Sequence, residues 1–173
     1  TSPAEPRRAA ERHDDHPLPR AATNDAARDN DHETVIGDEV AVELVARFPG
    51  ALFVESHGQP VVYVARGDLA DVAAYLRDEE QFTMLVDITA VDHLLDGNRY
   101  SPPGVELERF EVVANFLSHA RNRRIRVICE VPADDPTVPS LTPVYPGANF
   151  PERETYDLLG ISFVDHPDLT RIL

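Results

Sequence analysis

The run Asp165-His166-Pro167-Asp168, a few residues downstream of Glu154 and Asp157, holds the side chains of this sequence best suited to chemistry. A histidine among carboxylates can move a proton near neutral pH or ligate a divalent metal, provided the chain folds the two segments together. The opposing reading is that Pro167 fixes a turn and His166 is hydrogen-bonded inside it. On chemistry alone the turn is preferred. Two other sets are weaker. Asp87 and Asp92 fall on opposite faces of a strand unless a bulge intervenes, and His13-Asp14-Asp15-His16 has metal-binding residue types with nothing nearby to fix their geometry.

Other chemistries find no support. The eight glycines form neither GxGxxG nor GxxxxGK[ST], so a nucleotide has no phosphate cradle. Ser56, Ser101, Ser118, Ser140 and Ser162 all lack the GxSxG setting of an activated serine. A single cysteine, Cys129, permits neither an internal disulfide nor an iron–sulfur cluster built from this chain alone; it falls in phase with Ile125, Val127 and Val131 and reads as a small buried hydrophobe.

The elements that must position these residues follow from the hydrophobic pattern. Pro151 suits a first helical turn and Gly160 the left-handed position past a helix end, which predicts a short helix, Glu152-Arg153-Glu154-Thr155-Tyr156-Asp157-Leu158-Leu159, between them. Glu152 and Glu154 complement the positive end of its dipole. Arg153 and Asp157 are spaced i,i+4 with the cation first, the weaker orientation, worth at most about 0.5 kcal/mol, so something else must hold them. Upstream, Val40, Leu44, Val45 and Phe48 predict a helix ended by Pro49-Gly50, and Leu52–Glu55 with Val61–Ala65 predict a hairpin around His57-Gly58. Asp68 reads as the N-cap of a second helix lined by Leu69, Val72, Ala73 and Leu76. Alternation predicts strands over Met84–Val91, Phe110–Leu117 and Arg124–Val131, with a loop from His93 to Pro103, a tight connection at His119–Asn122 and proline-broken coil from Val138 to Pro146. These elements do not alternate as βαβ units. The expected class is therefore α+β, with a mostly antiparallel or mixed sheet, helices on one face and an extended C-terminal segment.

The 173 residues divide on composition into a disordered tail over 1–34, a core domain over 35–150, and a charged helix with an extended segment over 151–173. A formal charge of −15 disfavours nucleic acid, and the cluster Arg121, Arg123, Arg124 and Arg126 reads as a solvated or ion-pairing rim. All sixteen basic residues are arginine, the side chain that pairs with carboxylates in bidentate fashion. No apolar run is long enough to span a membrane and the first residues lack the apolar core of a secretory signal, from which a reducing, cytoplasmic location is expected.

The combined run Glu152-Arg153-Glu154-x-x-Asp157-Leu158-x-Gly160-Ile161 followed by Phe163-x-x-His166-Pro167-Asp168-Leu169-x-Arg171-Ile172-Leu173 resembles the signature of the 30 kDa subunit of respiratory NADH-quinone oxidoreductase, the C subunit of bacterial complex I. The resemblance continues in Pro146-Gly147-Ala148-Asn149-Phe150, Val86-Asp87-Ile88-Thr89-Ala90-Val91-Asp92, Arg109-Phe110-Glu111-Val112-Val113 and Arg124-Ile125-Arg126-Val127, covering roughly Val40 to Leu173. Phe150 stands where the family usually has tryptophan, and the family normally continues past the position of Leu173.

The resemblance implies a non-catalytic scaffold subunit of the peripheral arm of a proton-translocating enzyme, on the cytoplasmic side of the membrane. Its partners would be the large quinone-site protein, known as the D or 49 kDa subunit, with the B and I subunits nearby. Iron–sulfur clusters, FMN, NADH and quinone are expected in those partners and no cofactor or metal in this chain. Partner docking is assigned by resemblance to Glu152, Arg153, Glu154, Asp157, Gly160, His166, Pro167, Asp168 and Arg171. The alternatives are the equivalent subunit of a related membrane-bound hydrogenase or other-donor dehydrogenase, a stand-alone binding module, and a free-standing metal hydrolase using His166 and nearby carboxylates.

Overall fold

Asp38 starts the first helix, α1 (Glu39–Arg47): its carboxylate accepts from the Val40 and Ala41 amides at 3.0 and 3.2 Å, satisfying two of the donors a helix start leaves unpaired. The computed structural model describes residues 38–172, so the tail reading over 1–34 and the His13–His16 cluster lie outside the described residues. Val40, Ala41 and Leu44 face the core, whereas Val45, expected beside them, is 37% exposed. Five residues on from Val40 the helix has turned by about 140°, off the buried stripe.

A hairpin follows, β1 (Leu52–Ser56) and β2 (Gln59–Tyr63), whose turn places His57 and Gly58 at φ 54° and 72°. The next helix, α2 (Leu69–Asp78), buries Leu69, Val72, Ala73 and Leu76 as the sequence predicts. Asp68 does not cap it: a 3-10 turn over Arg66–Asp68 leads straight into the helix, holding Asp68 in a helical conformation from which its side chain makes no cap bond.

Strands β3 (Met84–Asp92), β4 (Phe110–Ser118) and β5 (Arg123–Val131) form an antiparallel meander, and β2 joins β5 in parallel, giving the order β1-β2-β5-β4-β3. The fold is α+β, with a five-stranded mixed sheet. Ile88, Val112, Ala114, Val127, Cys129 and Val62 fall on one sheet face and pack with α1 and α2 in a single core. On β3 the inward phase breaks at a bulge between Leu85 and Asp87, so Leu85 packs on the core while Met84 and Val86 are 44% and 45% exposed. The bulge lies before Asp87 and does not bring it to Asp92, which binds Arg109 instead.

The coil expected over Val138–Pro146 contains a strand. Thr137–Pro139 forms β6, which pairs in parallel with β7 (Ser162–Val164) in a separate two-stranded sheet. Three-residue strands, one of them bounded by Pro136 and Pro139, carry too little alternation to be seen in sequence. Through this pairing Ile161 and Phe163 enter the core that Val40 to Ala148 build, so the stretch after Gly160 begins inside the same packing.

Candidate functional site

The third helix, α3 (Asn149–Leu159), starts two residues before Pro151, which sits in its first turn where no amide is needed. Gly160 ends it at φ +75°. Its inward stripe is Glu152, Thr155, Tyr156 and Leu159, an i, i+3, i+4, i+7 series headed by a carboxylate. Thr155 donates its hydroxyl to the Pro151 carbonyl at 2.9 Å.

Glu152 is fully buried. Its two oxygens accept from the Ser140 hydroxyl and the Leu141 amide, each at 2.6 Å, fastening the loop after β6 to the start of α3. Removal from water pushes the carboxyl up to about 7, against the two hydrogen bonds that favour its charged form. Beside it, 3.9 Å from Glu152 Oε2, lies His166 Nε2; neither side chain is exposed to solvent. His166 Nε2 meets the Asn149 carbonyl at 3.1 Å and Nδ1 meets the Asp168 amide at 3.0 Å. A carbonyl can only accept and an amide can only donate, so these bonds describe the neutral imidazole protonated at Nε2. Asp165, at φ 64°, turns the chain so that His166 points inward.

Two further motif charges, Arg153 and Asp157, bind the chain's own extended segment. Arg153 donates through Nε to the Thr170 carbonyl at 2.8 Å, and through Nη2 to Thr170 Oγ1 at 3.0 Å and the Arg171 carbonyl at 3.3 Å, while its guanidinium lies 5.2 Å from the centre of the Phe150 ring. Asp157 accepts the Ile172 amide at 3.2 Å and pairs with Arg171 Nε at 3.2 Å. Asp168 accepts from the Thr170 amide at 3.1 Å, and hydrogen bonds from Thr170 hold its carboxyl below the usual range. What holds Arg153 and Asp157 is therefore the C-terminal segment. Glu154 points to solvent with no ionic partner among the described residues, and the Arg171 side chain is 80% exposed.

The candidate acid–base or metal set of His166 with Glu154 and Asp157 is not brought together: His166 lies beside Glu152 and is hydrogen-bonded to Asn149 and to Asp168 of its own turn, as the preferred turn reading has it. Sequence reasoning did not connect Ser140 or Leu141 with this helix, although the position of Glu152 on the inward stripe was the available signal. Among the described residues no group of three or more His, Cys, Asp or Glu is placed to hold a metal.

Elsewhere, Cys129 is buried against the core face of β5, and desolvation pushes its thiol up to about 12. Arg126 bonds Asn115 Oδ1 at 3.1 Å, Arg121 pairs with Glu80 and Arg123 with Asp38, so three of the four clustered arginines have partners within the chain.

A short charged helix whose motif secures its own trailing segment, set against a five-stranded mixed sheet, defines a self-clasping α+β module. The chain belongs to the family described as respiratory-chain NADH dehydrogenase, 30 Kd subunit, whose family model matches residues 62–173. It is 41% identical over 130 residues to the C subunit of NADH-quinone oxidoreductase from Herpetosiphon aurantiacus, covering 74% of this chain and 70% of that one. It is 36% identical over 153 residues to the C/D subunit of the Psychrobacter sp. oxidoreductase, covering 88% of this chain and 25% of the relative. The chain thus spans about a quarter of the C/D relatives' length. A solved structure described as "Nqo5 of the trypsin-resistant fragment (1-134) in P63 form" superposes with TM-score 0.64 at 33% identity, covering 75% of this chain and 96% of that one. A chain of an archaeal membrane-bound sulfane sulfur reductase, at TM-score 0.51 and 21% identity over 74% of this chain and 70% of that one, shares the fold.

Proposed function

We propose that this chain is a non-catalytic scaffold subunit of a proton-translocating NADH:quinone oxidoreductase and docks on the large D subunit, which holds the quinone site, through the outer surface of α3 and its C-terminal segment. Family membership supports the assignment to a complex I subunit. The observation that carries the docking partner is the set of relatives with the joint designation C/D, in which a stretch similar to this chain forms part of a polypeptide named for both subunits. Fusion of two subunits is compatible with assembly only where the two parts sit together.

In this reading the motif divides its labour. Glu152 and His166 order the loop and turn from inside, Arg153 and Asp157 hold the segment, and Gly160 ends the helix where the chain must turn back. Glu154, Pro167, Asp168 and Arg171 are left outward for the partner. The cofactors of electron transfer, the iron–sulfur clusters, FMN, NADH and quinone, belong to the other subunits, with B and I nearby, and this chain binds none. No helix among the described residues is long and apolar enough to cross a membrane, which fits a peripheral position on the cytoplasmic side held through the complex.

The test is co-purification of the tagged full chain with the D subunit from the same organism. Wild type should retain that partner, while Glu154→Arg with Arg171→Glu should lose it without a change in the melting temperature of the isolated chain. Unchanged retention of the partner by that double variant overturns the docking surface.

A further inference from the structure

Between β3 and β4 the chain runs from 93 to 109 with no helix or strand of its own, and a connection this long inside a small domain usually has work to do. It carries four exposed large apolar side chains: Leu94 is 64% exposed, Leu95 96%, Tyr100 76% and Leu107 40%. Apolar residues scattered singly over a surface need no explanation; several on one connection do.

The base of this connection is held firmly. Asp92 and Arg109 close its ends with two bonds of 3.0 and 2.8 Å, and the His93 amide donates to the Arg109 carbonyl at 2.8 Å. Glu111 and Glu130 are directly opposite on β4 and β5, an arrangement of like charges that opposes pairing. Arg99 from the loop reaches between them, 2.6 Å from Glu130 and 3.5 Å from Glu111, with its side chain only 8% exposed, and His93 approaches Glu111 at 3.2 Å. Glu130 also accepts the Glu108 amide at 2.8 Å. Further along, Gly104 at φ +90° lies so close to β1 that a Cβ there would meet Leu52 at 3.1 Å. The two sheet glutamates thus secure the loop's base while its apolar side chains stay in water, the arrangement of a preorganised anchor.

We propose that the β3–β4 loop is a rigid apolar knuckle, led by Leu95 and Tyr100, that inserts into a non-polar pocket rimmed by Lys or Arg on a neighbouring subunit of the assembly. The proposal rests on the reading of this chain as a subunit. The rim charge follows from the loop itself. Its two cations, Arg99 and Arg109, are engaged with Glu111, Glu130 and Asp92, whereas Asp96, Glu106 and Glu108 are exposed, so its outward field is negative. A second copy of the chain would set acid against acid, and an anionic membrane surface would be repelled in the same way.

The test uses the assembled complex, purified through a tag on this chain from a strain producing either wild type, Leu95→Asp with Tyr100→Asp, or the control Val42→Asp, whose site on α1 is 52% exposed. The double variant should retain roughly tenfold less of at least one neighbouring subunit, as loss of an anchor does, while the control retains all of them. Equal retention by the double variant and the control overturns the knuckle. Should the double variant fold poorly, a photo-crosslinking phenylalanine analogue at position 95 serves in its place: a crosslink within the purified complex to an apolar, basic segment of another subunit is expected. A crosslink to a second copy of this chain, to an acidic segment, or to nothing overturns the proposal. Glu154→Arg with Arg171→Glu, run in parallel, separates the two surfaces: loss of the D subunit there with full retention in the loop variant refutes the knuckle alone.

Discussion

The Leu141 amide and the Glu152 carboxylate meet at 2.6 Å with no solvent between them, so the loop after β6 and the first turn of α3 are joined through a group that ordinarily seeks water. Because burial raises this carboxyl to about 7, the folded chain takes up a proton between its unfolded value of 4.5 and pH 7. The contribution of this one group to stability is therefore fully present below the lower value and is lost as pH rises through the window, by an amount on the order of 3 kcal/mol at full ionisation. Glu152→Gln can still accept from the Leu141 amide and donate to Ser140, so it should remove most of that decline. Urea denaturation of both proteins between pH 5 and 8 checks this; parallel curves would show that Glu152 ionises without cost.

Arg153 holds Thr170 and Arg171 and lies over the Phe150 ring, Asp157 holds Arg171 and Ile172, and the Arg171 side chain is largely in water. Arg153→Ala should lower global stability by less than about 1 kcal/mol, and Asp157→Ala, whose side chain is only 6% exposed, by more. Amide exchange at 170–172 should also accelerate, because the Ile172 amide loses its acceptor or Thr170 its clamp. Exchange by mass spectrometry reads this directly.

Arg99→Met would leave Glu111 and Glu130 opposed without their cation. A buried ion pair broken on one side typically costs about 3–5 kcal/mol, and both carboxylates are more than four-fifths buried. Burial already holds the Glu130 carboxyl above its ordinary value, so the loss should shrink on acidification, which thermal melts at two pH values will show.

Cys129 should be inert. Its thiol is buried and pushed up to about 12, so an aromatic disulfide reagent should react only as fast as the chain unfolds. Fast labelling under native conditions would contradict the packing of β5.

Most of the sheet was legible because β4 and β5 alternate cleanly: every inward residue from Phe110 to Phe116 and from Ile125 to Val131 is apolar and buried. The helices were legible from their stripes and from Pro151 and Gly160. Three things were not. The bulge in β3 shifts the phase through backbone geometry that neither Leu85 nor Asp87 announces. The β6–β7 pair is too short for a pattern. The motif was recognisable as a unit, yet the partners of Arg153 and Asp157 could not be assigned, since spacing describes neighbours along a helix and says nothing about a segment that folds back over it. Glu152 was misjudged for a related reason: a carboxylate in the first turn of a helix ordinarily complements its dipole, and only the positions of Thr155 and Leu159 on the same stripe point it inward.

The parallel pairing of Val62 with Val127 has a bearing on how the chain reaches this fold. The meander β3–β4–β5 is built from contacts close in sequence and can form early, whereas attaching the β1–β2 hairpin to β5 requires closing a long intervening loop that contains the meander itself. Until that closure β5 is an open edge with Val127 and Ile128 uncovered, and a nascent or partly unfolded chain is exposed there to pairing with another copy. The hairpin is thus the late guard of the sheet, and conditions that loosen it first invite aggregation through β5 while the rest of the meander is still intact.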